Sequence, residues 1–216
     1  FFVLYPEQSQ QANPQRCWNW FKHTHQVRDR GEPALLAGLV RDVMAQHAID
    51  PARVYVAGLS AGGAMAAILG DTYPDIFAGV GVHSGLATGA AKDLPSAFGA
   101  MRDAPRSGPT TRSGMPTIVF HGDADNTVHP GNSSHVIAAS VHEDAEAELE
   151  EGVAAGGRGY TRELHRTADG KVMAEHWIVH GAPHAWSGGS ASGSYTDPRG
   201  PDASAEMVRF FLEHRR

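Results

Sequence analysis

A chain of 216 residues, 41% hydrophobic and 19% charged, holds enough apolar material for one domain with a sizeable core. Its net charge of -6, without a basic cluster, argues against nucleic acid and anionic membranes as partners. No run approaches the ~18 apolar residues of a membrane span, and the 25 glycines follow no repeat period that would indicate collagen or a solenoid.

The chain opens on Phe1-Phe2-Val3-Leu4-Tyr5-Pro6, an apolar run closed by proline that reads as a buried parallel strand. A polar loop over residues 8–16 leads into Cys17-Trp18-Asn19-Trp20-Phe21. Two readings of these aromatics stay open: a satellite cluster covering the sheet, or a wall beside a pocket. Cys17 is the single cysteine, either a small buried hydrophobe or half of a disulfide whose partner is absent. His23-x-His25 has no Cys or carboxylate beside it to complete a ligand set, so no metal is expected there.

Residues 32–48 place Leu35, Leu36, Leu39, Val40, Val43 and Met44 at helical spacing. Asp50-Pro51 then turns the chain into a strand beginning at Val54. That strand runs into Gly58-Leu59-Ser60-Ala61-Gly62 and a small-residue helix from Ala64. A G-x-S-x-G between strand and helix is the pattern of a nucleophile elbow, a turn so tight that the serine is strained and its Oγ exposed. The free N–H groups of the following helix favour a developing oxyanion, and the N–H of Ala61 is the expected donor.

Tyr73-Pro74 stops that helix, and residues 77–82 return as an apolar strand. Alternation of strand and helix implies a parallel sheet covered on both faces. Residues 85–114 are rich in small and polar residues and read as a cap over a site or a surface excursion. A strand follows over 115–120, then a helix over 132–141 with Asn132 or Ser133 as N-cap. The acidic and then glycine-rich residues 142–158 read as a solvated helix end and loop. Residues 160–166 and 173–180 flank an Asp-Gly turn and predict a hairpin. A Gly/Ser-rich loop over 181–201 precedes a terminal helix from Asp202, with Met207, Val208, Phe210, Phe211 and Leu212 on its apolar side. Nothing marks a second domain.

A nucleophilic serine needs a base to take its proton and an acid to orient that base. In open α/β sheets, sites form beyond the carboxyl ends of the strands. Two stretches qualify there: His121-Gly-Asp123-Ala-Asp125, and Gly181-Ala-Pro-His184-Ala-Trp186. Serine, acid, histidine is the chain order of α/β-hydrolases. Of the thirteen histidines, His184 lies where a triad base belongs, whereas His180, His121 and His83 read as structural groups at strand ends. Asp123 and Asp125 compete for the acid, the former also suited to holding the turn.

Five ordered motifs now carry a resemblance: Tyr5-Pro-Glu-Gln8, Cys17-Trp-Asn-Trp-Phe21, Gly58-Leu-Ser-Ala-Gly-Gly63, His121-Gly-Asp-Ala-Asp125 and His184-Ala-Trp-Ser-Gly-Gly189. The chain resembles the polyhydroxybutyrate depolymerase family of esterases, with its relatives acting on feruloyl and acetyl esters of plant polysaccharides. The resemblance implies an α/β-hydrolase fold with a mostly parallel sheet flanked by helices. It implies hydrolysis of carboxylic esters with Ser60 as nucleophile, His184 as base, Asp125 as acid, no cofactor and a secreted setting. Trp18, Trp20 and Trp186 are the candidates to line an acyl cleft.

The family pattern also carries an N-terminal strand pair and an H-G-C-x-Q loop, which supplies a second oxyanion donor and a cysteine pairing with the one at Cys17. The sequence does not contain that portion, so the resemblance implies a fold without its first strands and a weak esterase unless the donor is replaced. The rival expectation is a non-catalytic module that self-associates or binds a partner through the exposed sheet edge.

Overall fold

Helix α1 (Gly31–Gln46) follows a single 3₁₀ turn at His23–His25 and precedes a six-stranded sheet in the computed structural model, which describes residues 1–103, 113–141 and 147–216. The strands are β1 (Tyr55–Leu59), β2 (Gly79–His83), β3 (Thr117–Gly122), β4 (Ala147–Val153), β5 (Gly159–Arg166) and β6 (Val172–Val179). Their order across the sheet is β1-β2-β3-β6-β5-β4. The pairs from β1 to β6 are parallel, and β5 and β4 join antiparallel. The alternating strands and helices therefore give the expected parallel arrangement, and the Asp-Gly turn gives the expected hairpin of β5 with β6.

Four further helices complete the layers: α2 (Ala61–Thr72), α3 (Leu94–Arg102), α4 (Gly131–Ser140) and α5 (Ala203–Leu212). One face of the sheet packs Val80, Val82 and Val119 against Ala66 of α2 and Val136 and Ile137 of α4. On the other face, Ile118, Phe120 and Trp177 meet Met207, Phe210 and Phe211 of α5. Both faces of the central strands are thus buried, which is why they read as continuous apolar runs. Helix α1 forms an outer layer: its Leu36 and Ala37 join Met65, Ile68 and Leu69 of α2 in a third cluster. Leu35 and Leu212, assigned to apolar helix faces from spacing, point into solvent.

Several expectations are corrected. Residues 1–5 form no strand, and their side chains are exposed, from 39% at Leu4 to 99% at Phe1. A strand exists only where its backbone groups find partners, and among the described residues β1 pairs with β2 alone. The acidic stretch is not a helix end: residues 147–153 are the outer strand β4, while 142–146 lie outside the described residues. Glu150 and Glu148 pair across the strands with Arg162 at 3.0 Å and Arg166 at 3.2 Å, so the acidic residues serve as the charged face of an edge strand.

Residues 85–114 contain α3, whose Asp93 carboxylate accepts from Ser96 N while Ser96 Oγ accepts from Asp93 N. Residues 104–112 of that stretch lie outside the described residues. The α4 N-cap is Pro130, not Asn132 or Ser133, both of which are buried within the helix.

A buried carboxylate that the sequence did not single out ties sheet to helix. Glu175 on β6 accepts from Arg162 and from Arg209 of α5, and from Trp177 Nε1 at 3.0 Å. Burial opposes its charge, but the two guanidinium groups outweigh that and hold the carboxylate below its ordinary range.

Candidate active site

The parallel strands β1, β2, β3 and β6 bring their carboxyl ends to one rim, and the candidate residues gather there. Ser60 separates β1 from α2 with φ 57° and ψ -119°, a conformation that costs a non-glycine residue on the order of 1–3 kcal/mol. The glycines around it have measurable reasons. A Cβ on Gly58 would lie 2.3 Å from the carbonyl carbon of Gly62, and one on Gly63 would lie 2.9 Å from Gly58 O. Gly62 itself faces open space. Ser60 N donates to His83 O at 2.8 Å, tying the turn to the end of β2. Ala61 opens α2, so its N–H has no acceptor within the helix.

Asp125 and His184 meet. His184 Nδ1 donates to Asp125 Oδ2 at 2.7 Å, while Asp125 Oδ1 accepts from Thr127 N and Val128 N at 2.8 and 2.9 Å. His121 Nε2 lies 3.2 Å from Asp125 Oδ2 and donates to Val128 O at 2.9 Å. Burial raises the cost of the Asp125 charge, yet the hydrogen bonds from His121 and His184 and the two backbone N–H groups hold its carboxyl far below the ordinary range. The ionised carboxylate bonds His184 through Nδ1 and leaves Nε2 turned away from it.

The loops carrying the two residues are stitched together. Ala124 N donates to Ala182 O at 3.2 Å, and Asp123 Oδ1 accepts from Gly181 N at 2.6 Å. Gly122 permits the approach, since a Cβ there would lie 2.2 Å from Ala182 O. Asp123 therefore holds the turn, and it also accepts from His180 Nδ1 at 3.0 Å. That division of labour between the two aspartates was open in the sequence until the resemblance was used.

His83, His121 and His180 sit at the ends of neighbouring strands, bound to backbone and side-chain groups as structural histidines should be. His25 Nδ1 does have a carboxylate nearby, Glu32 at 3.3 Å, which the sequence reading missed because the two are joined only through the fold. That carboxylate accepts from Asn19 N, Asn19 Nδ2 and Gln8 Nε2 at 2.6, 2.6 and 2.7 Å and so pins the N-terminal loop to α1. Among the described residues, no group of three or more His, Cys, Asp or Glu is placed to hold a metal ion.

The three tryptophans separate. Trp20, 5% exposed, belongs to the core cluster of α1 and α2, so for it the satellite-cluster alternative holds and the pocket wall does not. Trp18 is half-buried and packs against the same cluster, as does Ala61. Trp186 is half-buried at the site: its ring stacks on His83 with centroids 5.1 Å apart, and its Nε1 donates to Ser204 Oγ of α5 at 3.1 Å. Cys17 is an exposed free thiol, not a buried hydrophobe.

A second serine–histidine–carboxylate chain went unnoticed in the sequence. His176 Nε2 lies 2.8 Å from Ser133 Oγ, and His176 Nδ1 lies 3.1 Å from Glu163 Oε2. Ser133 is 2% exposed inside α4, and its hydroxyl donates to Pro130 O at 2.6 Å. It has neither access nor a strained turn. Among the described residues, no hydrogen bond joins Ser60 Oγ to His184; catalytic hydrogen bonds of this kind often tighten only around substrate. Exposure and backbone strain, rather than hydrogen-bond length alone, therefore distinguish the two serines.

A mostly parallel sheet with a strained serine after one strand and a joined aspartate and histidine after two others defines the α/β-hydrolase fold. The acetyl xylan esterase from Aspergillus awamori has this architecture, with a TM-score of 0.63 over 92% of this chain and 73% of that one at 18% identity. The family model "Esterase PHB depolymerase" matches residues 1–163, and the chain belongs to that family. It is similar to poly(3-hydroxyalkanoate) depolymerase C of Paucimonas lemoignei, 32% identical over 200 residues covering 85% of this chain and 47% of that protein. It is also similar to the poly(3-hydroxybutyrate) depolymerase of Ralstonia pickettii, 30% identical over 202 residues covering 87% of this chain and 41% of that one. The chain thus spans about half the length of these curated relatives.

Proposed function

We propose that this chain works as a serine esterase on carboxylic esters, with short-chain polyhydroxyalkanoates as the substrate class. The observation that carries the reading is the 2.7 Å bond from His184 Nδ1 to the buried Asp125 carboxylate, on the same sheet rim as the strained Ser60. Similarity to two depolymerases supports the substrate class.

In this mechanism Ser60 Oγ attacks the ester carbonyl while His184 Nε2 takes its proton. Asp125 keeps the imidazole in the Nδ1–H tautomer and stabilises the imidazolium. The Ala61 N–H, with the N-terminal end of α2 behind it, faces the oxyanion. Collapse expels the alcohol, which receives the proton from His184. Water, deprotonated by His184, then cleaves the acyl-enzyme and frees Ser60.

No helix of the described chain is long and apolar enough to cross a membrane. A secreted setting belongs to this reading as its expected location.

The test is hydrolysis of p-nitrophenyl butyrate and of 3-hydroxybutyrate oligomers, alongside labelling by a fluorophosphonate probe. Loss of both on Ser60→Ala is the expected result, and equal rates for native and Ser60→Ala would sink the assignment. Faster turnover of acetylated xylan or feruloyl esters would move the substrate to polysaccharide. An unlabelled, stoichiometric dimer would favour instead a binding module that uses the open edge of β1.

A further inference from the structure

One buried residue touches both halves of the candidate site without belonging to either. His83 ends β2 and is 1% exposed. Its main-chain oxygen accepts from Ser60 N at 2.8 Å, on the nucleophile side. Its ring faces the other way: Nε2 accepts from Ser187 N at 3.0 Å, three residues after His184. With Nε2 accepting, Nδ1 carries the proton and donates to Ser84 Oγ at 3.1 Å, which fixes the tautomer. The same ring lies between Trp186 and Phe120, with centroids 5.1 and 5.8 Å away.

We propose that His83 is a positioning residue that sets the His184 loop against the Ser60 turn, its carbonyl holding one and its ring holding the other. The proposal rests on the esterase reading for its kinetic consequence but not for its geometry. The loop from 181 to 201 contains only two short strands, β7 (Trp186–Ser187) and β8 (Thr196–Asp197), paired with each other. A misplacement of about 1 Å in a reacting group costs on the order of 100-fold in rate, so an anchor three residues from His184 matters.

An uncharged ring suits this role, because an imidazolium would lose the acceptor that Ser187 N needs. Burial, and then the neighbouring His121 and His184, keep His83 neutral by holding its pKa down to about 3.

The test compares His83→Gln, whose amide oxygen reaches the place of Nε2, with His83→Asn, whose side chain is too short to reach Ser187. Both are assayed for kcat and KM on p-nitrophenyl butyrate. The low-field proton resonance of the His184 Nδ1–H bonded to Asp125 is followed by NMR. His83→Asn is expected to lower kcat on the order of 10- to 100-fold with KM within about 2-fold, and to broaden or shift that resonance. His83→Gln is expected to keep kcat within about 5-fold of native and to retain the resonance.

Equal kcat and an unchanged resonance in both variants would overturn the proposal, as would equal loss in both. If the native protein hydrolyses nothing yet His83→Asn alone perturbs the resonance, the positioning role stands and the esterase reading fails.

Discussion

Gly58 and Gly62 approach so closely that a Cβ on the first would sit 2.3 Å from the carbonyl carbon of the second, whereas a Cβ on Gly62 would meet nothing within 4 Å. The two glycines of one motif are therefore unequal. Gly58→Ala must move main chain at the elbow and is expected to cost ~3 kcal/mol or to prevent folding. Gly62→Ala lies in the first turn of α2 and should leave stability unchanged or raise it by ~0.5 kcal/mol. Urea unfolding of both variants checks this; equal destabilisation would refute the packing argument.

Ser60 and Ser133 each stand near a histidine, and they should respond oppositely. Ser133→Ala removes the acceptor of His176 Nε2 inside the fold and should cost ~1–2 kcal/mol while leaving ester hydrolysis within about 2-fold. Ser60→Ala should abolish hydrolysis without loss of stability, since it relieves no buried polar pairing. Melting curves and rates measured side by side would separate a reactive serine from a structural one.

Acid should destabilise the protein in two steps. A histidine kept neutral in the fold, as His83 is near His121, His184 and Asp125, gives stability that falls as pH drops below the unfolded value of 6.5 toward about 3. The unfolded chain takes up that proton first, which gives a slope of up to ~1.4 kcal/mol per pH unit. Asp125 works lower down: its folded carboxyl is depressed, so its contribution is complete above 3.8 and disappears as pH falls further. Unfolding free energies at pH 8, 6, 5, 3.5 and 2 should show both limbs, and Asp125→Asn should remove the lower one.

Asp125→Asn also tests the orientation of the base. Its four donors, two of them histidines, make it the anchor of the loop, so the variant should lose ~2 kcal/mol of stability. Its kcat should drop by about 10³- to 10⁴-fold through the wrong His184 tautomer. A rate within about 10-fold of native would exclude Asp125 as the acid.

Glu175 offers a test remote from the site. Replacing it by alanine leaves Arg162 and Arg209 without their shared partner and should cost ~3 kcal/mol, the lower end for a broken buried pair because both arginines retain some access to water. Thermal unfolding of Glu175→Ala and Arg209→Ala would show whether the carboxylate is the costlier loss.

The sequence determined whatever depends on neighbours along the chain. It placed the strand–turn–helix at Ser60, the helix periodicities, the Asp-Gly hairpin and the positions of Asp125 and His184 just after strands. It could not place β4, because exposed edge strands carry no core pattern, and it assigned 1–5 to a strand because apolarity does not reveal whether a partner exists. Only the tertiary structure decided which aspartate touches His184, that Trp20 is core, and that Glu32 and Glu175 are hubs. Those outcomes depend on distant residues meeting in space, such as Asn19 and Glu32, 13 positions apart, and Asp125 and His184, 59 apart. The same holds for His83, whose two faces join Ser60 to Ser187 across 127 residues of chain.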